Sequence, residues 1–228
     1  TTEIYTLSLH DALPILFLST YTNLIKGENM TLDEFIRKYD YDGSIVLLEG
    51  KRIVKESEKV KLIELGKLLA GKTSKMIFRS GNADGADQLF AEGVSAVDNT
   101  RIQVIIPYSG HRSKTNLAYQ TNSLDEINIV NEPEVIYQSK SNKKTEKLID
   151  KFIAGDKNRN TIKAAYIIRD TIKAIGTKDI KPATFGIFYY DLENPIEGGT
   201  GHTMNVCIQN NIPVIDQRVW FGWVNNEI

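Results

Sequence analysis

Residues 76–90 read MIFRSGNADGADQLF, and this stretch decides the fold that the sequence predicts. Its first three residues form an apolar run typical of a short buried strand, and Ser80 and Gly81 interrupt that run. Gly85 then stands directly before a segment with helical apolar spacing. A glycine turn that opens a helix leaves backbone N–H groups unpaired beside the positive end of the helix dipole. The turn therefore suits a phosphate or a carboxylate, although two glycines can equally serve only to shape a turn and pack helix on strand.

Apolar runs and helical patterns alternate on both sides of this stretch. We predict strands at 44–48, 76–78, 101–107, 184–190 and 212–215, and helices at 31–39, 57–69, 86–97, 145–153, 161–175 and 204–209. Alternation of this kind is typical of an α/β protein, so we predict a Rossmann-like, open, mostly parallel sheet with helices on both faces. Residues 113–145 are polar and irregular, with one extended piece at 134–137, and we interpret them as an insertion.

The chain divides into three parts. Residues 1–15 match, residue for residue, the translation of a common short-read sequencing adapter, and we interpret them as an assembly artefact. We therefore expect the native reading frame to start later, with Met30 as a candidate initiator. Residues 16–42 form an N-terminal lead-in with a short helix, and residues 43–224 form a single domain.

Composition narrows the classes of partner. The chain has 28 Lys and Arg against 29 Asp and Glu, a formal net charge of −1. Such a chain lacks the electrostatic footprint of non-specific nucleic-acid binding, so nucleic acid is a partner that we do not favour. The only cysteine, Cys207, excludes an internal disulfide and favours a cytoplasmic location. No apolar run is long enough to span a membrane, and we expect no membrane partner, no metal and no cofactor.

A second glycine cluster, EGGTGHT at residues 197–203, again follows a predicted strand and opens a helix. Three glycines in four residues, with two hydroxyl side chains beside them, favour a second phosphate cradle over a simple loop. Two such turns in one sheet can face a single crevice. Cys207, in the helix that follows, is better explained as a small core residue than as a nucleophile, because no paired base is evident.

The two glycine motifs in this order carry a family resemblance. RSGNADGAD at residues 79–87, GDKNRN at 155–160, GGTGHT at 198–203 and a terminal strand reading IPVID resemble the SLOG superfamily of Rossmann-like proteins. That group includes the LOG phosphoribohydrolases, the DNA-processing protein A family and nucleotide-signal sensor domains. The resemblance covers about residues 43–220. It implies a nucleotide pocket lined by these residues: Ser80, Gly81, Asn82, Ala83, Gly85, Arg159, Gly198, Gly199, Thr200, Gly201 and Thr203.

The chain departs from the hydrolase branch of that family at one position. The LOG hydrolases carry P-G-G-x-G-T-x-x-E, and the final Glu, which cleavage of the glycosidic bond requires, falls on Asn205 here. An amide cannot act as a general base or place negative charge beside an oxocarbenium-like centre. If the chain is an N-glycosidic hydrolase of nucleoside monophosphates, Arg79, Asp87 and His202 are the candidate catalytic residues.

Three functions remain open on the sequence. The favoured one is a binding module that holds a nucleotide or nucleotide-derived ligand between the two glycine turns, and we expect it to form a homodimer. The second is the hydrolase. The third is a single-stranded DNA-binding recombination mediator, for which Trp220 and Trp223 are candidate stacking residues, although two such aromatic residues more often close a core or a dimer contact.

Overall fold

The computed structural model describes residues 30–193 and 198–226. The adapter-like segment and Glu197, the first residue of the second glycine cluster, lie outside the described residues. The strands are β1 (Ile45–Gly50), β2 (Ile77–Ser80), β3 (Ile102–Ile106), β4 (Gln120–Ser123), β5 (Phe185–Tyr189) and β6 (Val214–Asp216). The helices are α1 (Leu32–Tyr39), α2 (Glu56–Lys72), α3 (Ala86–Asp98), α4 (Pro133–Ser139), α5 (Lys143–Ile153), α6 (Ile162–Ile175), α7 (Gly198–Gln209) and α8 (Gln217–Asn225).

The six strands form one sheet in the order β4-β3-β2-β1-β5-β6, and every pair is parallel. The prediction of a Rossmann-like parallel α/β sheet is therefore confirmed. From β1 the chain adds strands in one direction as far as β4 and then crosses to the other side of β1. The order reverses between β1 and β5, and the carboxyl ends of strands at such a switch point diverge to leave a crevice.

Apolar side chains cover both faces of the sheet. On one face, α1, α2, α3 and α8 pack around buried residues such as Phe35, Phe90 and Trp220. On the other face, α4 to α7 pack around buried residues such as Ile168 and Val206. Strands buried on both sides are continuous apolar runs, which is why β1, β3 and β5 were visible as such in the sequence.

The structure corrects the interpretation of residues 113–145. The segment supplies β4, whose residues 120–123 pair with residues 103–106 of β3, so it completes one edge of the sheet. The predicted extended piece at 134–137 is wrong, because those residues lie in helix α4, which begins with a proline at its first position. Pro133 fixes a helical φ at a position where its missing N–H costs nothing.

Strand β4 could not be recognised in the sequence because its residues and those around it are polar. An edge strand is bonded on one side only and needs no apolar run.

Candidate functional site at the switch point

A cleft of about 1230 Å³ opens at the carboxyl ends of β1 and β5. Its floor comes from the last residues of β1, and helix α6 runs along one wall from Ile162 to Lys173. The start of α7 forms another part of the lining, from Gly198 to His202, together with Asn205. The cleft thus lies where an open parallel sheet binds its ligands.

The first glycine turn is occupied by a carboxylate of the protein itself. Asp87 is buried, and its Oδ2 accepts hydrogen bonds from the backbone N–H of Gly81 at 3.1 Å and of Ala83 at 3.3 Å. Its Oδ1 accepts a third from the N–H of Gly50 at 3.1 Å. The turn does hold an anion, as its geometry predicts, but that anion is the side chain of Asp87. Asp87 also lines the cleft, with its acceptor capacity directed to the backbone.

The glycines of the first turn make room for two arginines. A Cβ on Gly81 would lie 1.7 Å from Nη1 of Arg169, which donates to the Gly81 carbonyl at 2.6 Å. A Cβ on Gly85 would lie 2.1 Å from the Arg52 carbonyl oxygen, and Gly85 has a φ of +85°. Both positions therefore require glycine for packing within the protein, which is the alternative that the sequence left open.

Arg79 lies beneath the cleft and does not line it. Its guanidinium is fully buried, with Nε donating to Gln103 Oε1 at 2.5 Å and Nη1 donating to the Lys173 carbonyl at 2.9 Å. Burial lowers the pKa of Arg79 to about 10, a value at which the group is still cationic near neutral pH. Arg79 is placed to support α6 and not to contact a ligand.

Most of the other predicted residues of the first motif and its neighbours also lie outside the cleft lining. Ser80 is buried and accepts from the Asn82 N–H at 3.3 Å, and Asn82 has a left-handed φ of 53°. Asp84 pairs with Arg112, and Gly85 holds the N-cap position of α3. Arg159 is exposed and does not line the cleft. Of the first motif, the cleft includes Ala83 and Asp87.

The second glycine motif is the start of a helix. Gly198 to Thr203 are the first residues of α7, and the first four N–H groups of a helix have no partner within it. Among the described residues, no atom beyond its chain neighbours lies within 4 Å of a Cβ built on Gly198, which has a φ of +68°. Thr203 is buried, and its hydroxyl donates to the Gly199 carbonyl at 3.1 Å. Gly198, Gly199, Thr200, Gly201 and His202 line the cleft.

His202 is held in one orientation by a chain of hydroxyls. Its Nε2 lies 2.9 Å from Thr171 Oγ1, which donates its own proton to the Ile167 carbonyl at 3.1 Å. Thr171 also accepts from Ser139 Oγ at 2.9 Å, so the imidazole is the donor in its contact with Thr171. Burial lowers the pKa of His202, so the ring is neutral at pH 7.

Four charged side chains form a buried network at the floor. Lys173 Nζ donates to Glu49 Oε2 at 2.7 Å and lies 2.8 Å from Asp170 Oδ1, and Arg169 Nε lies 3.1 Å from the same oxygen. Burial would lower the pKa of Lys173, but Asp170 and Glu49 together raise it, so the lysine stays charged. Burial would raise the pKa of Asp170, but Arg169 and Lys173 hold it below its usual value.

Glu49 is the member of this network whose ionised form is most strongly disfavoured near neutral pH. Burial raises its pKa to about 7 against the attraction of Lys173, and the nearby carboxylates of Asp87 and Asp170 add to the rise. Sequence reasoning missed the network. The available signal was charged residues placed within apolar segments: Glu49 near the end of SIVLLEG, and Arg169, Asp170 and Lys173 in the apolar helix IKAAYIIRDTIKAI.

Four cations stand around the mouth of the cleft: Lys51, Arg52, Lys143 and Lys163. Lys51 is half-buried and the other three are exposed. Within residues 30–193 and 198–226, none of the four forms an ion pair. Cationic side chains without carboxylate partners beside helix starts favour an anionic ligand.

An aromatic cluster adjoins the same wall. The rings of Tyr108, His111 and Tyr166 lie edge to face, with the His111 centroid 5.0 Å from Tyr108 and 5.6 Å from Tyr166. Tyr166 lines the cleft, whereas His111 is buried beside it. Burial lowers the pKa of His111 to about 4, and repulsion by Arg169 and Arg112 contributes, so His111 is neutral.

Comparison with family models, curated proteins and solved structures finds no match to this chain. In the part of the chain that the structure describes, no helix has the length and apolar character to cross a bilayer. The same residues contain no group of three or more His, Cys, Asp or Glu side chains placed to hold a metal ion.

Proposed function

We propose that this protein binds a nucleotide or a nucleotide-derived ligand in the switch-point cleft, in the manner of the SLOG proteins that its motifs resemble. One observation carries the proposal: the glycine-rich start of α7 opens onto the same cleft as four cations that have no ion-pair partner among the described residues. Backbone N–H groups at a helix start and flexible cations together recognise phosphate.

The rest of the lining suits the remainder of a nucleotide. Ile162, Ile167 and Tyr166 give the α6 wall an apolar and aromatic surface, against which a nucleobase can pack. A site of this kind combines an apolar lining with a few convergent polar groups, and it lies at a topological switch point.

A matched pair of variants at one helix tests where the ligand binds. Lys163 lines the cleft at the start of α6, whereas Arg159, just before that helix, is exposed and lies outside the cleft. Lys163→Ala is expected to weaken binding of AMP, GMP, CMP or UMP about fivefold in equilibrium dialysis, the scale of one exposed charge pair. Arg159→Ala removes the same charge and is expected to leave the affinity unchanged.

Two results would contradict the proposal. Equal weakening by both variants would mean that only the overall charge matters. Absence of binding to all four nucleotides, together with no nucleotide detected by mass spectrometry in the purified protein, would sink the proposal itself.

A second candidate function is hydrolysis of the N-glycosidic bond of a nucleoside monophosphate, and the raised pKa of Glu49 favours it. A carboxylate with a pKa of about 7 at a cleft floor can take a proton from water while the water oxygen bonds to C1′ and the C1′–N bond breaks with its electron pair going to the base. The proton on Glu49 then passes to the base nitrogen, which restores the carboxylate. Chromatography for free base separates this candidate from binding alone. Base release by wild type and none by Glu49→Gln is the expected result of a hydrolase.

No observation favours single-stranded DNA binding. Trp220 and Trp223 are both buried in the core, so neither is available to stack on a base. A cytoplasmic location and a homodimer remain predictions, and sedimentation velocity of the purified chain checks the second.

A further inference from the structure

One oxygen at the floor of the cleft lacks a hydrogen-bond donor. Glu49 is 2% exposed, and Lys173 donates to its Oε2, but its Oε1 is buried without a partner in the described chain. Glu49 lines the cleft. A buried carboxylate oxygen without a donor is costly, so the group favours a ligand that brings one.

A second acceptor on the α7 side of the cleft has the same property. Asn205 is half-buried, lines the cleft, and its Oδ1 is buried without a hydrogen-bond partner in the described residues. Asn205 follows Gly201 by four residues, so the two lie on the same face of α7, about 6 Å apart along the helix axis. An acceptor thus stands one turn beyond the glycine start.

We infer that Glu49 and Asn205 bind the sugar hydroxyls of the ligand, so that the cleft selects a ribose over a 2-deoxyribose. This inference rests on the proposed function, because it places the phosphate at the start of α7. In a nucleoside 5′-phosphate, only the C5′ carbon separates the phosphate ester from the ribose ring that carries the 2′- and 3′-hydroxyls. The distance from phosphate to hydroxyls is therefore comparable with the one helical turn between Gly201 and Asn205. Phosphate oxygens cannot donate to these acceptors, whereas hydroxyl groups can.

The inference is tested with probes that lack a base, so that the unknown base does not enter. Isothermal titration measures binding of ribose 5-phosphate, 2-deoxyribose 5-phosphate and inorganic phosphate to the wild-type protein and to Glu49→Gln and Asn205→Ala. Ribose 5-phosphate is expected to bind wild type about tenfold more tightly than its deoxy counterpart, the scale of one hydrogen bond to a charged acceptor. Glu49→Gln is expected to remove most of that preference, and Asn205→Ala to reduce it.

The outcomes separate this inference from the proposed function. Equal affinity of wild type for the two sugar phosphates overturns the hydroxyl selection but leaves the anion cleft standing, as does binding of inorganic phosphate alone. No binding of any probe overturns the hydroxyl selection, and the dialysis with the four nucleotides then decides the proposed function separately. A preference that both variants retain in full removes Glu49 and Asn205 from the recognition.

A further measurement decides the role of Glu49 if Glu49→Gln does not fold. A hydroxyl that donates to Oε1 favours the ionised carboxylate, so binding near pH 7 should release a proton from Glu49. Titrations in two buffers of different ionisation enthalpy should show more proton release with ribose 5-phosphate than with the deoxy sugar, whose phosphate is the same. Equal proton release with both sugars would exclude Glu49 as the acceptor.

Discussion

The two glycine turns have the same pattern in the sequence and opposite states in the structure. The turn before α3 directs two of its N–H groups to the carboxylate of Asp87, and its glycines accommodate Arg169 and the Arg52 carbonyl. The start of α7 lines the cleft. Among the described residues, no atom beyond its chain neighbours lies within 4 Å of a Cβ built on Gly198, whereas Asp170 Oδ2 lies 2.7 Å from one built on Gly199. The first turn is completed by a side chain of the protein itself, whereas the second lines the cleft.

This difference shows that a glycine turn before a helix specifies an anion but not its source. The geometry that attracts a phosphate attracts a carboxylate of the same chain equally well, because both are oxygen anions in reach of the same N–H groups. Whether such a turn is a ligand site depends on whether the protein supplies its own anion nearby in space.

Removing the Asp87 carboxylate from the first glycine turn should have the largest effect on stability. Asp87→Ala leaves two buried backbone N–H groups and one part-buried one without an acceptor, and we expect a loss of about 4 kcal/mol in the free energy of unfolding measured in urea. Added acetate should then raise the melting temperature of Asp87→Ala more than that of wild type, because it can replace the missing carboxylate. Asp84→Ala is the control, since its side chain is 64% exposed and pairs only with Arg112.

An Asp87→Ala protein as stable as Asp84→Ala, or one that acetate does not stabilise beyond wild type, would contradict an internally filled turn.

Adding one methyl group to each turn should sharpen the contrast. Gly81→Ala places its Cβ against the buried guanidinium of Arg169, and we expect a loss of about 2 kcal/mol in urea unfolding, typical of overpacking. The Cβ of Gly198→Ala meets no atom of the described residues beyond its chain neighbours. We expect a loss of about 1 kcal/mol from the strain of the positive φ, and a main effect of weaker nucleotide binding. Equal losses of stability in the two variants would contradict the difference in packing between the first and the second glycine turn.

A pH dependence of stability is expected at the floor between the two turns. Burial raises the pKa of Glu49 from an ordinary value of 4.5 to about 7, with Lys173 opposing and Asp87 and Asp170 adding to the rise. Between these two pH values the native protein holds a proton that the unfolded chain has released. The free energy of unfolding contributed by Glu49 therefore falls as pH rises through this window.

His111 acts in the opposite sense. Its pKa is lowered from 6.5 to about 4, so stability is lost as pH falls from 6.5 towards 4. Comparing wild type with Glu49→Gln cancels the His111 contribution, and the variant should gain stability relative to wild type between pH 4.5 and pH 7 in urea titrations. A difference between the two proteins that stays constant over that range would show that Glu49 is ionised throughout.

The sequence was sufficient to predict the fold because many separate segments along the chain carry local strand or helix patterns, and all of them indicate the same α/β architecture. Apolar runs bounded by glycine, such as residues 44–48, predict buried parallel strands, and the capping box at Thr31 and Glu34 predicts the start of α1, which the structure contains. The polar edge strand β4 was not predicted from the sequence, because it pairs with β3 on one side only and its residues carry no apolar signal.

The sequence by itself determined that this is a parallel α/β protein with two glycine motifs at helix starts, because strand runs, helical spacing and glycine turns are properties of neighbouring residues. Only the tertiary structure decided which motif is open. Asp87 is close enough in sequence to fill its own turn, but Glu49, Arg169, Asp170 and Lys173 meet only where β1 and α6 pack together. Charges that burial brings into contact from distant segments have no local pattern, so neither the floor of the cleft nor its unpartnered acceptors could be predicted from the sequence.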